Sequence, residues 1–275
     1  MKVFLLVLIS LFPFISDAQD FVGTRPIGMG EAVRGTLMLN DAIYMNPATM
    51  AMTKQYSIDA QTVFQPALDR DLGLNFSLVD TRGSEVGAGL GYNGDQVKTT
   101  EQTYWKHLVH LALAQPISKF FSFGATAKTA VFDMKPKRKT YFNGDMGIYV
   151  VPGEYGKYFQ VGGVFYNFAR DIKEFPRQLG GGVKVVLMPV LSLTGDVVKS
   201  LSEDKWILGA GLEFIHKSGI SARAGFKYDK DPVEDSATYS AGLGYFVDKA
   251  GAYYSFRNRI DNKYQTHALS LSLFF

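Results

Sequence analysis

Four histidines, His107, His110, His216 and His267, are the residues best suited to metal or acid–base chemistry, and their spacing argues against it. On a helix His107 and His110 would share a face, but in a strand an odd separation sends them to opposite faces. No His-Glu-x-x-His run occurs. The chain has no cysteine, which excludes a disulfide framework, a thiolate metal site and a cysteine nucleophile. Gly28-Met29-Gly30-Glu31-Ala32-Val33 lacks the third glycine of a dinucleotide fingerprint, and no strand pattern precedes it. Gly180-Gly181-Gly182 opens a strand pattern, not a helix. The expectation is a chain that is not an enzyme, without catalytic, metal or cofactor residues. A Ser or Asp partner converging from another strand is the enzymatic arrangement that spacing does not test.

Charge excludes a further class. The net charge is +3 over 275 residues, and the basic residues are scattered except for Lys135, Lys137, Arg138 and Lys139. Nucleic acid is therefore not an expected partner. That run falls in what reads as the longest outer loop, where it is either simply solvated or placed to meet lipopolysaccharide phosphates.

The elements that must position any site read as strands. From His267 to Phe275, Leu269, Leu271, Leu273 and Phe275 alternate with Ser270 and Ser272, giving one apolar and one polar face. After residue 54 the same period-two pattern recurs in segments of roughly 8 to 13 residues separated by turn signals. Fourteen are expected, near 55–65, 71–80, 85–93, 104–115, 120–132, 144–151, 157–169, 178–188, 190–199, 203–215, 219–228, 236–246, 250–258 and 263–275. Pro66, Pro116, Pro136, Pro152, Pro176, Pro189 and Pro232 fall in or beside the connections, as prolines must where a closed sheet offers no free edge. Short and long connections alternate, with a short outer loop near Pro66 to Arg70 as the exception. The fold expected is all-β, a transmembrane antiparallel barrel of about fourteen strands.

Charge on the lipid face of such a barrel costs about 2–4 kcal/mol near the midplane, so the polar set of each strand must face inward. The expected lumen carries Asp59, Gln61, Asn75, Lys106, Lys128, Lys184, Asp196, Glu213, Arg223, Lys227 and Arg257. These charges either pair with one another in a filled interior or line a wet path. Alternation alone leaves both readings open.

Two segments precede the barrel. Lys2, the apolar run Val3 to Ile15 and then Ser16-Asp17-Ala18 read as a signal peptide over 1–18, cleaved before Gln19. Residues 19–53 do not alternate, and suit two short helical pieces forming a hatch or plug, with Asp41 as an N-cap and Pro47 near a helix start. The barrel occupies 54–275.

The stretch Arg25-Pro26-Ile27-Gly28-Met29-Gly30-Glu31-Ala32, followed by Asp41-Ala42 and by Asn46-Pro47-Ala48, resembles the amino-terminal hatch of the FadL family of outer-membrane hydrophobic-compound transporters and of its smaller PorV-type relatives. The resemblance covers about thirty residues, with Gly28, Gly30, Asn46, Pro47 and Ala48 as its motif. It implies a hatch folded into a fourteen-stranded barrel in the outer membrane, in contact with outer-membrane lipids and lipopolysaccharide. A small hydrophobic ligand would be captured at the outer side and leave laterally through a kink in the third strand. Gly87, Gly89 and Gly91 stand there at consecutive same-face positions, although glycines recur in other segments, where small residues in a filled barrel account for them. The chain is shorter than a typical fatty-acid transporter. A small-molecule channel, or a non-transporting PorV-like barrel with a periplasmic or surface protein partner, are the functions the resemblance implies.

Overall fold

The computed structural model describes residues 21–65, 72–98, 102–134, 136–261 and 264–275. Its strands are β1 (Tyr56–Phe64), β2 (Leu72–Asp80), β3 (Gly87–Lys98), β4 (Thr103–Ser118), β5 (Phe121–Asp133), β6 (Arg138–Val150), β7 (Phe159–Tyr166), β8 (Gln178–Met188), β9 (Leu191–Ser200), β10 (Trp206–Ile215), β11 (Ile220–Lys230), β12 (Ser236–Val247), β13 (Ala250–Arg259) and β14 (Gln265–Phe274). Each pairs antiparallel with its sequence neighbours, and β1 pairs with β14, so the barrel closes. Closure removes the free edges that would otherwise expose unpaired backbone groups.

Burial is inverted relative to a water-soluble protein. On β14 Leu269, Leu271 and Leu273 are about half exposed and point outward, whereas Ser270 and Ser272 are buried inside. Leu90, Leu111, Leu113, Leu208, Phe226 and Leu243 continue this exposed apolar face around the barrel. An apolar band this large is what lipid contact requires, and the fold is that of a membrane barrel. Among the described residues no helix is long and apolar enough to cross a membrane.

Two of the loops expected at the outer end are instead ladder. The hairpin expected to open at 94–103 stays paired from Asp95↔Lys106 to Lys98↔Thr103, and that expected at 133–143 closes down to Asp133↔Arg138. Polar residues there mark where the strands leave an apolar surrounding. They do not mark where backbone pairing stops, because hydrogen bonding continues in water. Strand alternation also divides the basic run: Arg138 lies opposite Asp133 in the ladder, and Lys139 takes the other face. The long connection is 167–177, between β7 and β8. Pro116 lies within β4 at a register shift between Pro116 and Ser118, so a bulge accommodates it. The expected signal peptide and the Pro66–Arg70 turn lie outside the described residues.

Candidate functional site: the hatch inside the lumen

Before β1 the chain folds into α1 (Thr24–Gly28), α2 (Ala42–Met45) and a 3-10 turn, Pro47–Met52. Pro47 fits the first position of that turn, where a missing N–H costs nothing, and the Asn46 side chain accepts the Ala48 N–H at 3.2 Å. Gly30 and Glu31 are both left-handed, with φ of 60° and 62°, and turn the chain after α1. Asp41 stands at the N-cap position of α2 without capping it. Its Oδ1 instead accepts from Gln61 Nε2 at 2.9 Å, tying the hatch to β1.

This segment fills the barrel. Met29, Val33, Met38, Ile43, Met45 and Met50 form an apolar core with Val79, Ala112 and Ala114 of the wall. Inward-facing glycines let hatch backbone reach wall backbone: a Cβ added at Gly124 would strike Ala48, one at Gly162 would strike Arg34, and one at Gly225 would strike Gly30. Gly28 packs in the same way against Gly242 and Ser255.

The polar contacts are equally specific. Glu213 accepts from Arg25 Nε and Nη2 at 2.9 and 2.8 Å and from Arg223 Nε at 2.9 Å. Asp196 accepts the Val33 and Arg34 backbone N–H groups at 2.9 and 2.8 Å and Arg34 Nη1 at 3.0 Å. Glu31 pairs with Lys227 at 3.1 Å and with Arg257. Asn46 donates to the carbonyls of Arg34 and Ile148 at 2.9 and 3.0 Å, while the Ala48 carbonyl accepts from Ser122 at 2.8 Å. Three carboxylates therefore clamp the hatch, each paired with cations or N–H donors, as buried charge demands.

The other expected lumen residues take different places. Asp59 is buried and accepts from Ser272 at 2.8 Å. Lys128 pairs with Asp145 at 2.9 Å, and Lys184 stands half-buried on β8. Lys106 points its ammonium at an outer aromatic group, 5.3 Å from the Phe175 ring centre and 6.0 Å from that of Phe132. Asp145 is an inward residue outside the expected lumen set, although it lies within the expected strand 144–151, where the alternation Asp145, Gly147, Tyr149 puts it on the buried face. Phe175, on the 167–177 connection, has no periodic signal.

In β3 the ladder to β4 runs through Gly87, Gly89 and Gly91, and that to β2 through Gly89 and Gly91, without a register shift. A Cβ on Gly89 would meet Ile43 and Met50, and one on Gly91 would meet Tyr44. These glycines are seats for hatch side chains, and the sheet is unbroken where the lateral kink was expected.

Between the hatch and the wall, at the end of the barrel bearing the short turns, lies a cavity of about 240 Å³. Leu39, Ile215, Phe246, Tyr253 and Phe274 line it, with Asp41 and Arg223 among its polar residues. His107 faces outward beside Tyr92 while His110 is buried inside against Tyr44, the opposite-face placement their spacing implies. Among the described residues no group of three or more His, Asp or Glu is arranged to hold a metal ion.

No protein-family model and no curated protein matches this sequence. Solved structures do match. The monoaromatic hydrocarbon channel CymD aligns with a TM-score of 0.69 at 14% identity, covering 93% of this chain and 97% of that one. The toluene transporter TbuX of Ralstonia pickettii aligns at 0.65 and 12% identity over 92% and 97% of the two chains. A FadL homologue of Pseudomonas aeruginosa aligns at 0.63 and 13% identity over 92% and 98%. The chain shares its fold with the FadL-type hydrophobic-compound channels.

Proposed function

We propose that this chain is an outer-membrane barrel that passes small hydrophobic molecules, exported by way of the signal-like segment at 1–18 and without enzymatic activity of its own. The observation that carries this reading is the hatch-filled barrel with a cavity beside the hatch, where Leu39, Ile215, Phe246 and Phe274 stand alongside charged residues such as Arg25 and Asp59, in a fold shared with channels named for toluene and monoaromatic hydrocarbons. The cavity is small, which suits compounds of about a single ring better than long acyl chains. With β3 unbroken, the lateral exit is not part of this proposal, and the cavity at the short-turn end supports passage along the barrel axis.

The hatch fastening favours a second reading. A segment held by Glu213, Asp196 and Glu31 is built as a fixed plug, which suits a PorV-like barrel that presents itself to a periplasmic or surface protein and transports nothing. Uptake of small hydrophobic and small polar solutes into liposomes containing the purified protein separates the two. Solute-dependent uptake above empty liposomes is expected. Its absence, together with stable co-purification of a protein partner, would establish the second reading.

A further inference from the structure

The apolar band of the barrel exterior changes character at the outer ends of β9, β10 and β11. Trp206 on β10 lies in register with Lys199 on β9 and with Lys230 on β11. All three belong to the outward set: the next outward row is Val197, Leu208 and Tyr228, and Val197 and Leu208 are exposed on the apolar band. Adjacent strands are about 4.8 Å apart, so the two lysine backbones are separated by about 10 Å with the indole between them. Lys199 Nζ sits 4.7 Å over the Trp206 ring. Four-carbon stems can bring both ammonium groups to one anion above that ring.

Of the nearby acids, Asp235 attracts Lys230 without forming an ion pair with it. Asp231 pairs with Lys205 at 3.4 Å, and Asp235 accepts the Tyr228 hydroxyl and the Asp231 N–H. Glu203 and Asp204 lie on the exposed β9–β10 connection. Among the described residues neither Lys199 nor Lys230 has an ion-pair partner. The contrast with the 135–139 run is direct, since there Arg138 lies opposite Asp133 and Lys139 takes the other face.

We propose that Lys199, Trp206 and Lys230 form a binding site for the phosphate-bearing headgroup of an outer-leaflet glycolipid of the lipopolysaccharide type. The two ammonium groups take the phosphate, the indole lies against the sugar, and the Val197–Leu208 row meets the acyl chains. The site rests on the membrane placement proposed above.

The chain has two tryptophans, so a Trp105→Phe background makes Trp206 the sole indole reporter. The protein is inserted into phosphatidylcholine vesicles and titrated with a phosphorylated glycolipid, its dephosphorylated form, phosphatidylglycerol and inorganic phosphate. A Trp206 emission change is expected with the phosphorylated glycolipid at concentrations where the other three give none. K199Q/K230Q should weaken that binding about thirtyfold, while K199R/K230R retains it. Heat-modifiable migration on a gel confirms that each variant is folded. Equal binding by K199Q/K230Q, or an equal response to dephosphorylated lipid or to phosphatidylglycerol, overturns the site. Failure to insert into phosphatidylcholine vesicles overturns the membrane placement, and the site with it.

Discussion

Arg25 and Glu213, 188 residues apart in sequence, join through two hydrogen bonds at 2.9 and 2.8 Å, with Arg223 closing on the same carboxylate from β11. One carboxylate between two guanidinium groups fastens α1 to the β10–β11 wall. Because Glu213 is buried, neither arginine can exchange it for water without leaving charge uncompensated.

Glu213→Ala should therefore be among the most damaging single changes in the hatch, at about 3–5 kcal/mol, because it leaves two facing cations without their anion. Arg25→Met should cost less, since Arg223 still pairs with Glu213. Thermal unfolding in detergent, followed by the shift in gel migration, would rank the two. No loss in Glu213→Ala would mean that the hatch is held by apolar packing alone, and the reverse order would mean that Arg25 holds it through more than Glu213.

The inward glycines give a test that does not involve charge. A Cβ at Gly225 would strike the Gly30 backbone and the Met29 carbonyl carbon, both of which lie in a turn with little room to yield. At Gly181, on the other face of β8, an added Cβ would find its nearest neighbour, the Gly162 carbonyl oxygen, at 3.8 Å. Gly225→Ala should destabilise by about 1–3 kcal/mol, the usual cost of overpacking, whereas Gly181→Ala should be neutral or slightly stabilising. Equal melting temperatures for the two variants would remove the close hatch–wall approach from the argument.

How much of this could be read from sequence depends on which periodicity each part obeys. Leu269, Leu271 and Leu273 against Ser270 and Ser272 fix the faces of β14, and the same alternation places Asp196, Glu213 and Arg223 inside. That Arg25 meets Glu213, or that Glu31 lies between Lys227 and Arg257, follows from the path of a non-periodic segment through the lumen, and no local pattern encodes it. Asp95 and Arg138 show the converse limit: polarity suggested loops where the strands continue, because composition reports the surroundings of a strand and not the end of its ladder. Gly89 and Gly91 carried a real signal of close approach, and only the fold shows that the approaching groups are Ile43, Met50 and Tyr44.

Asp41 gives the hatch a pH dependence. Burial pushes its carboxyl above the usual range, outweighing the Gln61 hydrogen bond and the attraction of Arg25 and Arg223. With the folded value raised, the native state holds more protons than the unfolded chain, so this group's contribution to stability falls as pH rises above about 3.9. Asp41→Asn removes that loss and still offers Gln61 an acceptor. The variant should match the parent near pH 4 and be the more stable at neutral pH in detergent melts. A parent more stable than Asp41→Asn at neutral pH would show that the carboxylate is stabilised in place, against this sign.

The plug itself is tested by removal. The hatch core and its three carboxylate clamps occupy lumen volume that the wall alone does not fill, since Gly124, Gly162 and Gly225 have no side chain to replace Ala48, Arg34 or Gly30. Deleting residues 20–53 leaves Glu213 paired with Arg223 but deprives Asp196 of the Val33 and Arg34 donors, and Lys227 and Arg257 of Glu31. The fourteen-strand ladder needs none of these residues to close, because β1 begins at Tyr56. An assembled, heat-modifiable barrel with lower thermal stability and a larger single-channel conductance in planar bilayers is the expected outcome. Conductance equal to that of the full chain would place the resistance to flow in the wall, and the second reading of a fixed plug would lose its support.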